Sequence, residues 1–241
     1  MKNVSGATTN EKKMIKAIQS AVGAVQDGSI GTQTMSDIAC RLGADCFPLA
    51  LTIYDNPVII AKDILPAAVG SPLSCYANAI SGSFSYQKKP CSILISNGKL
   101  VCGAACHAWF GKPESVLYRL TDGSFGLRKI LYSTELPNRV SWAIGGVGLL
   151  DRYNPTEEGF TGSYGDVLRS TNHTMVGVKN GYVYLCYVSN ATGAQVNDYA
   201  KRLGLERAVL LDGGHVAAIN SGDRRINTAQ TQYYIVQALA R

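Results

Sequence analysis

The sequence predicts an α+β fold: a strand-rich mixed domain preceded by a small helical module. Three observations predict it. From residue 74 onward, short apolar runs alternate with glycine-containing turns. Within that region the residues from Thr192 to Leu203 form the clearest stretch with helical spacing. Residues 10 to 42, by contrast, carry two helical stripes around a glycine-rich turn.

In the amino-terminal segment Met14, Ile15, Ile18, Val22 and Val25 share one stripe, with lysines opposite. After Asp27-Gly28-Ser29-Ile30-Gly31-Thr32-Gln33-Thr34, a second stripe of Met35, Ile38, Ala39 and Leu42 is closed by Gly43. Residues 1–47 are thus expected to form a helical hairpin module and residues 48–241 the larger domain. Pro48, Pro57 and Pro66 punctuate the passage between them. Leu49 to Tyr54 and Val58 to Ile60 fit either short strands or the start of a helix.

Further along, Ser92 to Ile95, Val116 to Leu120, Arg128 to Tyr132 and Ser141 to Ile144 read as strands. The polar stretch from Arg152 to Gly159 reads as a surface loop, with Glu157 and Glu158 as solvated acids. Asn172 to Val188 reads as two strands joined at Lys179-Asn180-Gly181, a strong hairpin signal. Thr192 and Gln195 make a capping box, Val196, Tyr199, Ala200 and Leu203 follow at helical spacing, and Gly204 supplies a stop. The chain then enters Ala208-Val209-Leu210-Leu211, a strand buried on both faces, which ends in Asp212-Gly213-Gly214-His215. A carboxylate at the end of a buried strand has a semi-buried position and a fixed direction, as acid/base or substrate-orienting work requires. The plainer alternative is an Asp-Gly turn between two strands.

The 241 residues suffice for one large domain, or one domain with a small appendage. Up to residue 66 there are six basic and six acidic side chains, so the net charge of +6 lies entirely in the remainder. A basic domain suits an anionic substrate or surface, but no Lys/Arg run is long enough for nucleic acid. Lys88-Lys89 and Arg224-Arg225 are the paired cations of that region, and Arg225 is a candidate for a substrate phosphate. Seven cysteines, an odd count without repeating spacing, fit reduced thiols better than a disulfide framework. Cys102, Cys106 and His107 resemble metal ligands, but no second Cys/His pair completes a site, so neither metal nor cofactor is expected. Met1 to Gly6 lacks the apolar core of a signal peptide and no apolar run spans a bilayer, which predicts synthesis in the cytoplasm without membrane insertion.

The order of hairpin, helix and strand ending in Leu211-Asp212-Gly213-Gly214-His215 resembles the phosphodiester glycosidase family, typified by N-acetylglucosamine-1-phosphodiester alpha-N-acetylglucosaminidase-like domains. Three more blocks carry the likeness: His173-Thr174-Met175-Val176-Gly177, Tyr76 to Phe84 with Ser92 to Lys99, and Trp142 to Leu150. Together they cover roughly residues 70 to 220. Two departures stand out: His173 where the family has an arginine, and His215 where it has a third glycine. Arginine is a permanent, bidentate cation, whereas histidine is charged only below about pH 6.5. The resemblance implies hydrolysis of a sugar-1-phosphodiester between the anomeric carbon and the phosphate oxygen. It places Asp212 as base or sugar-orienting group and His173 and His215 in phosphate stabilisation and proton transfer. Asn78 becomes a neutral donor, and the Gly213 and Gly214 N–H groups an anion-facing nest.

The Asp27-Gly28…Ile30-Gly31…Thr34 string resembles the signature of a peptidoglycan-binding helical module, over roughly residues 14 to 43. Joined, the two resemblances imply a cell-wall-directed hydrolase, endolysin-like and of phage type, acting on an anionic sugar phosphodiester or wall polymer. Two alternatives remain open: a non-catalytic binder of a phosphorylated sugar or wall glycan, and a hydrolase of the peptidoglycan glycan strand.

Overall fold

The computed structural model describes residues 9–22, 49–162, 165–221 and 224–239. The first helical stripe forms the helix Thr9–Val22, with Ile15 and Gln19 buried. The glycine-rich turn and the second stripe, up to Gly43, lie outside the described residues.

From Leu49 onward strands dominate. In chain order they are β1 (Leu49–Ile53), β2 (Asn56–Ala61), β3 (Ile64–Pro72), β4 (Ala79–Ser81), β5 (Ser85–Tyr86), β6 (Lys89–Pro90), β7 (Leu94–Ser96) and β8 (Lys99–Cys102). There follow β9 (Glu114–Leu120), β10 (Phe125–Ile130), β11 (Val140–Gly148), β12 (Thr171–Lys179), β13 (Tyr182–Ala191) and β14 (Arg207–Gly213). The last are β15 (Ile219–Asn220), β16 (Arg225–Ile226) and β17 (Thr231–Ala238). Among the described residues, one ten-stranded sheet runs β1-β2-β13-β12-β14-β11-β7-β8, with β9 on β11 and β10 on β9. A five-stranded sheet runs β16-β15-β4-β17-β3, and β5 and β6 form a separate hairpin. Every named pairing is antiparallel.

The period of two along the central strands builds a core on each face of the large sheet. Val58 and Ile60, Tyr184 and Cys186, and Ala208 and Leu210 point one way, toward Val196, Tyr199 and Ala200 of the helix Gly193–Arg202. Ile59, Val183, Leu185, Val209 and Leu211 point the other way, against Ile80, Ile219, Tyr234 and Val236 of the smaller sheet. A sheet covered on both faces explains why β14 reads as an unbroken apolar run.

Local chemistry sets the connections. The β12–β13 turn holds Asn180 at φ 52° and Gly181 at φ 75°, a tight hairpin that Asn-Gly tolerates. Thr192 caps its helix, its Oγ1 accepting from Gln195 N at 3.3 Å while Gln195 Oε1 accepts from Thr192 N at 2.8 Å. The ambiguous residues 49–61 resolve into the hairpin β1–β2, because Val58 to Ala61 pair with β13 and bury both faces. Two expected strands shift, to Leu94–Ser96 and Phe125–Ile130.

The expectation of solvated acids in the 152–159 loop is corrected at Glu158. Glu157 is exposed and pairs with Lys129, but Glu158 is fully buried. Its carboxylate accepts from Ser115 Oγ at 2.7 Å and Gly148 N at 3.1 Å, with Lys129 Nζ at 3.5 Å. A loop that folds back over β9 and β11 converts a polar residue into an internal staple. Glu114, on β9, is likewise buried and accepts from Ser92 Oγ, Ile93 N and Cys106 N. Gly145 makes room for it: a Cβ there would lie 2.1 Å from Glu114 Oε1.

Candidate active site

Asp212 is the penultimate residue of β14 and lines a cavity with Phe84, Phe160 and Val167, on the side of the sheet to which Ala208 and Leu210 point. At that end of the sheet loops replace the helix as the covering layer, and this cavity, of about 720 Å³, opens. A register shift between His173↔Gly213 and Met175↔Leu210 sets two β14 residues, Leu211 and Asp212, against Thr174 alone. This bulge turns the strand end toward the cavity. Thr174 Oγ1 clamps it, within 3.1 Å of the Asp212 carbonyl and 3.2 Å of the Ser81 carbonyl.

Phe84, Phe160 and Val167 make an apolar floor, and Tyr86, on the β5–β6 hairpin, is an exposed aromatic at the rim. Asp166, Arg169 and Asp212 supply the charge. Asp212 Oδ1 accepts the Gly213 N–H at 3.0 Å. Burial chiefly, with the nearby Asp166 charge, pushes the Asp212 carboxyl up to about 7 against the opposing Gly213 and Ser85 N–H groups. It therefore changes charge near neutral pH.

Asp166 and Arg169 project from the short helix Gly165–Leu168 and its end, and they form an ion pair. The Asp166 carboxylate lies against the Gly-Gly turn: a Cβ on Gly214, which is at φ 68°, would come within 2.8–2.9 Å of it. The glycines after Asp212 thus permit a second carboxylate to approach the first. Neither Asp166 nor Arg169 was singled out by sequence, although Gly165-Asp166-Val167-Leu168-Arg169 carries an acid and a base one helical turn apart, a signal usually reserved for surface helices.

The other expected residues take different places. His173 is completely buried one layer behind Asp212, opposite Gly213. Its Nε2 lies 2.7 Å from the Ala191 carbonyl, which can only accept, so the proton is assigned to Nε2. Nδ1 faces Gly213 on the side of the Arg169 backbone. Burial pushes its basicity down, against the carbonyl of Ala191, the backbone of Arg169 and the charge of Asp166, which pull it up. Gly213 and Gly214 are buried at the turn, and His215 is exposed in the single 3-10 turn that follows. Asn78, half-buried at φ 52°, precedes β4, with its carbonyl on Ala238 N at 2.8 Å. Arg225 is exposed on β16, at an edge of the smaller sheet. Asp212 is the one predicted site residue that lines the cavity; His173, Gly213, Gly214 and His215 support or flank it, and Asn78 and Arg225 lie on the smaller sheet's side of the molecule.

Among the described residues no group of three or more His, Cys, Asp or Glu side chains is arranged to hold a metal ion. No helix among them is long and apolar enough to cross a membrane. A second depression of about 670 Å³ lies between Leu149–Arg152 and Leu205–Arg207. Its charges are surface groups such as the Arg207–Glu206 pair, at 3.3 Å, whereas the Asp212 cavity holds a desolvated carboxyl; the chemistry belongs to the latter.

A carboxyl that titrates near neutrality, beside a second carboxylate held by a guanidinium, equips an open cavity for acid/base hydrolysis of a polar substrate. The family is more specific: the sequence profile of phosphodiester glycosidases matches residues 75–236, and the chain belongs to that family, hydrolases acting on sugar phosphodiesters. No sequence among the curated proteins matches it. Among solved structures, the fold is similar to the catalytic domain of zebrafish N-acetylglucosamine-1-phosphodiester alpha-N-acetylglucosaminidase, auto-inhibited by its pro-peptide. The identity is 17% and the TM-score 0.56, over 81% of this chain and 82% of that one. A hypothetical protein from Synechocystis is similar at 12% identity and TM-score 0.51, over 79% and 61% of the two chains. A putative exported protein from Burkholderia pseudomallei is similar at 11% identity and TM-score 0.52, over 81% and 75%.

Proposed function

We propose that this protein hydrolyses a sugar-1-phosphodiester at the bond between the anomeric carbon and the phosphate oxygen, in the cavity at the end of β14. The observation that carries this reading is the desolvated Asp212 facing the Asp166–Arg169 pair across one aromatic-floored cavity. A phosphate monoester leaves readily, so the reaction needs little proton donation; it needs a held anion and a guided water. Asp212, once ionised, takes the proton of the attacking water. Arg169, half free of protein contacts at 64% side-chain exposure, receives the phosphate oxygens that Asp166 does not occupy. Arg169 thereby answers the missing arginine at position 173 from four residues upstream. His173 acts as a positioning residue behind Gly213, and His215 flanks the turn at the surface.

For the rest of the substrate we propose an anionic bacterial wall polymer. That reading rests on the resemblance of residues 14–43 to a peptidoglycan-binding helical module and on the net charge of +6. The test incubates the protein with purified walls and follows reducing sugar and phosphate monoester together. Equal release of both, lost in Asp212→Asn, is expected. Binding without release identifies a non-catalytic binder, and reducing ends without phosphate monoester identify a cutter of the glycan strand; either result overturns the proposal.

A further inference from the structure

Two sulfurs in the cavity wall belong to different loops. Cys91 follows the β5–β6 hairpin, with its N–H on the Phe84 carbonyl at 3.0 Å. Cys106 lies on the loop after β8, with its N–H on Glu114 Oε2 at 3.2 Å. Their Sγ atoms are 3.4 Å apart, and both line the cavity that Asp212 faces. Both are free thiols and only partly buried, so a small solute in the cavity reaches them.

Beside them stands the third histidine. His107 Nδ1 is 3.0 Å from the Glu158 carbonyl, which assigns the proton to Nδ1 rather than Nε2. That Nε2 lies 4.0 Å from Cys106 Sγ. Edge-on packing against Phe160, at 4.7 Å between ring centroids, holds the imidazole in place.

We infer that Cys91 and Cys106 are a modification site, at which a reversible disulfide forms in the cavity wall and slows the reaction at Asp212. The oxidant is a low-molecular-weight disulfide. The Cys91 thiol loses its proton to water and its sulfur attacks one of the two sulfurs, forming a mixed disulfide and releasing the other as a thiolate that takes a proton back. Cys106 then gives its proton to water in the cavity and its sulfur attacks the Cys91 sulfur, expelling the second small sulfur as a thiolate that takes up a proton. Two protein thiols are oxidised and one small disulfide is reduced to two thiols. A disulfide needs its sulfurs about 2.05 Å apart, so the two sulfurs must close by more than an ångström, a movement shared between rotation of the side chains and displacement of the two loops. The loop that moves with Cys91 carries Phe84, Tyr86 and the Ser85 N–H that faces the Asp212 carboxylate. A shift of that size at a reacting group costs on the order of a hundredfold in rate.

The effect on rate rests on the proposed function, but the cross-link does not, and the experiment reads the two separately. The full-length protein is equilibrated with mixtures of oxidised and reduced glutathione. Peptide mass spectrometry without reduction reads the cross-link, and phosphate monoester release from a sugar-1-phosphodiester reads activity. Expected are a Cys91–Cys106 bridge and a fall in kcat/KM of at least tenfold, both reversed by dithiothreitol. Cys91→Ser is expected to show neither the bridge nor the response. Stable glutathione adducts on either residue, pairing with Cys75 or Cys102, or a bridge that dithiothreitol does not open would overturn the modification site. A reversible bridge with unchanged kcat/KM would overturn its control of the reaction. If the reduced protein releases no phosphate monoester at all, the functional proposal fails while the bridge is still read by mass.

Discussion

Replacing Asp212 by Asn should abolish turnover and, at the same time, stabilise the fold at high pH. In the folded protein the carboxyl is held at about 7 rather than the ordinary 3.8, chiefly by burial. Ionising it inside the fold therefore costs at most about 4 kcal/mol relative to the unfolded chain. Water entering the cavity lowers that figure, and about 1–2 kcal/mol is the expected net value. The sign follows from linkage. Below about pH 4 the carboxyl is protonated folded and largely protonated unfolded, so it contributes little. As pH rises toward 7 the unfolded chain loses the proton freely and the folded chain retains it, so the wild type loses stability progressively; above 7 the penalty is constant. The amide of Asn keeps an oxygen for the Gly213 N–H but carries no charge. Urea denaturation at pH 4 and pH 8 measures the difference between variant and wild type, and comparing the two pH values cancels losses common to both. A gain larger at pH 8 by about 1–2 kcal/mol is predicted; an equal difference at both would refute a desolvated carboxyl at position 212.

The remaining predictions concern the support of the site. In the wild type, kcat/KM should rise with pH and level off above about 7, since the ionised Asp212 is the active form; a profile flat from pH 5 to 9 would count against it. Arg169→Ala should raise KM for a phosphodiester about tenfold while leaving the melting temperature nearly unchanged, because that side chain is 64% exposed. Gly214→Ala forces a Cβ to within 2.8–2.9 Å of the Asp166 carboxyl at φ 68°, and should cost about 1–3 kcal/mol in denaturant together with most of the activity. Glu158→Ala strands Ser115 Oγ and the Gly148 N–H and leaves Lys129 with Glu157 alone, and about 2–4 kcal/mol of stability should disappear in a urea titration.

Much of the C-terminal third was legible because each element there is set by neighbours in sequence. The Asn180-Gly181 turn, the Thr192/Gln195 cap and the apolar run into Asp212 depend on local dihedrals and on a strand buried on both faces. Residues 49–61 stayed ambiguous because a short apolar run takes its state from its partner, here β13, more than a hundred residues away. Glu158 was misjudged for the same reason: its burial depends on Ser115 and Gly148, which no local pattern reveals. At the site, Asp212 could be read from its strand end. Asp166 and Arg169 could not, since a five-residue segment of ordinary surface composition joins the cavity wall only when the Gly-Gly turn admits it beside β14. His173 stood out as a departure from the family pattern and His107 as a ligand-like neighbour of Cys106, yet burial took His173 out of the cavity and placed His107 against its floor and thiols.

The central claim, that water attacks the sugar carbon under the control of Asp212, is tested most directly by turnover in ¹⁸O-labelled water. The substrate is the methyl phosphodiester of N-acetylglucosamine at its anomeric position, followed by ³¹P NMR and mass spectrometry. Conversion to methyl phosphate with the label in the released sugar, absent in Asp212→Asn, is the predicted result. Label in the phosphate, or undiminished turnover by the variant, would contradict it.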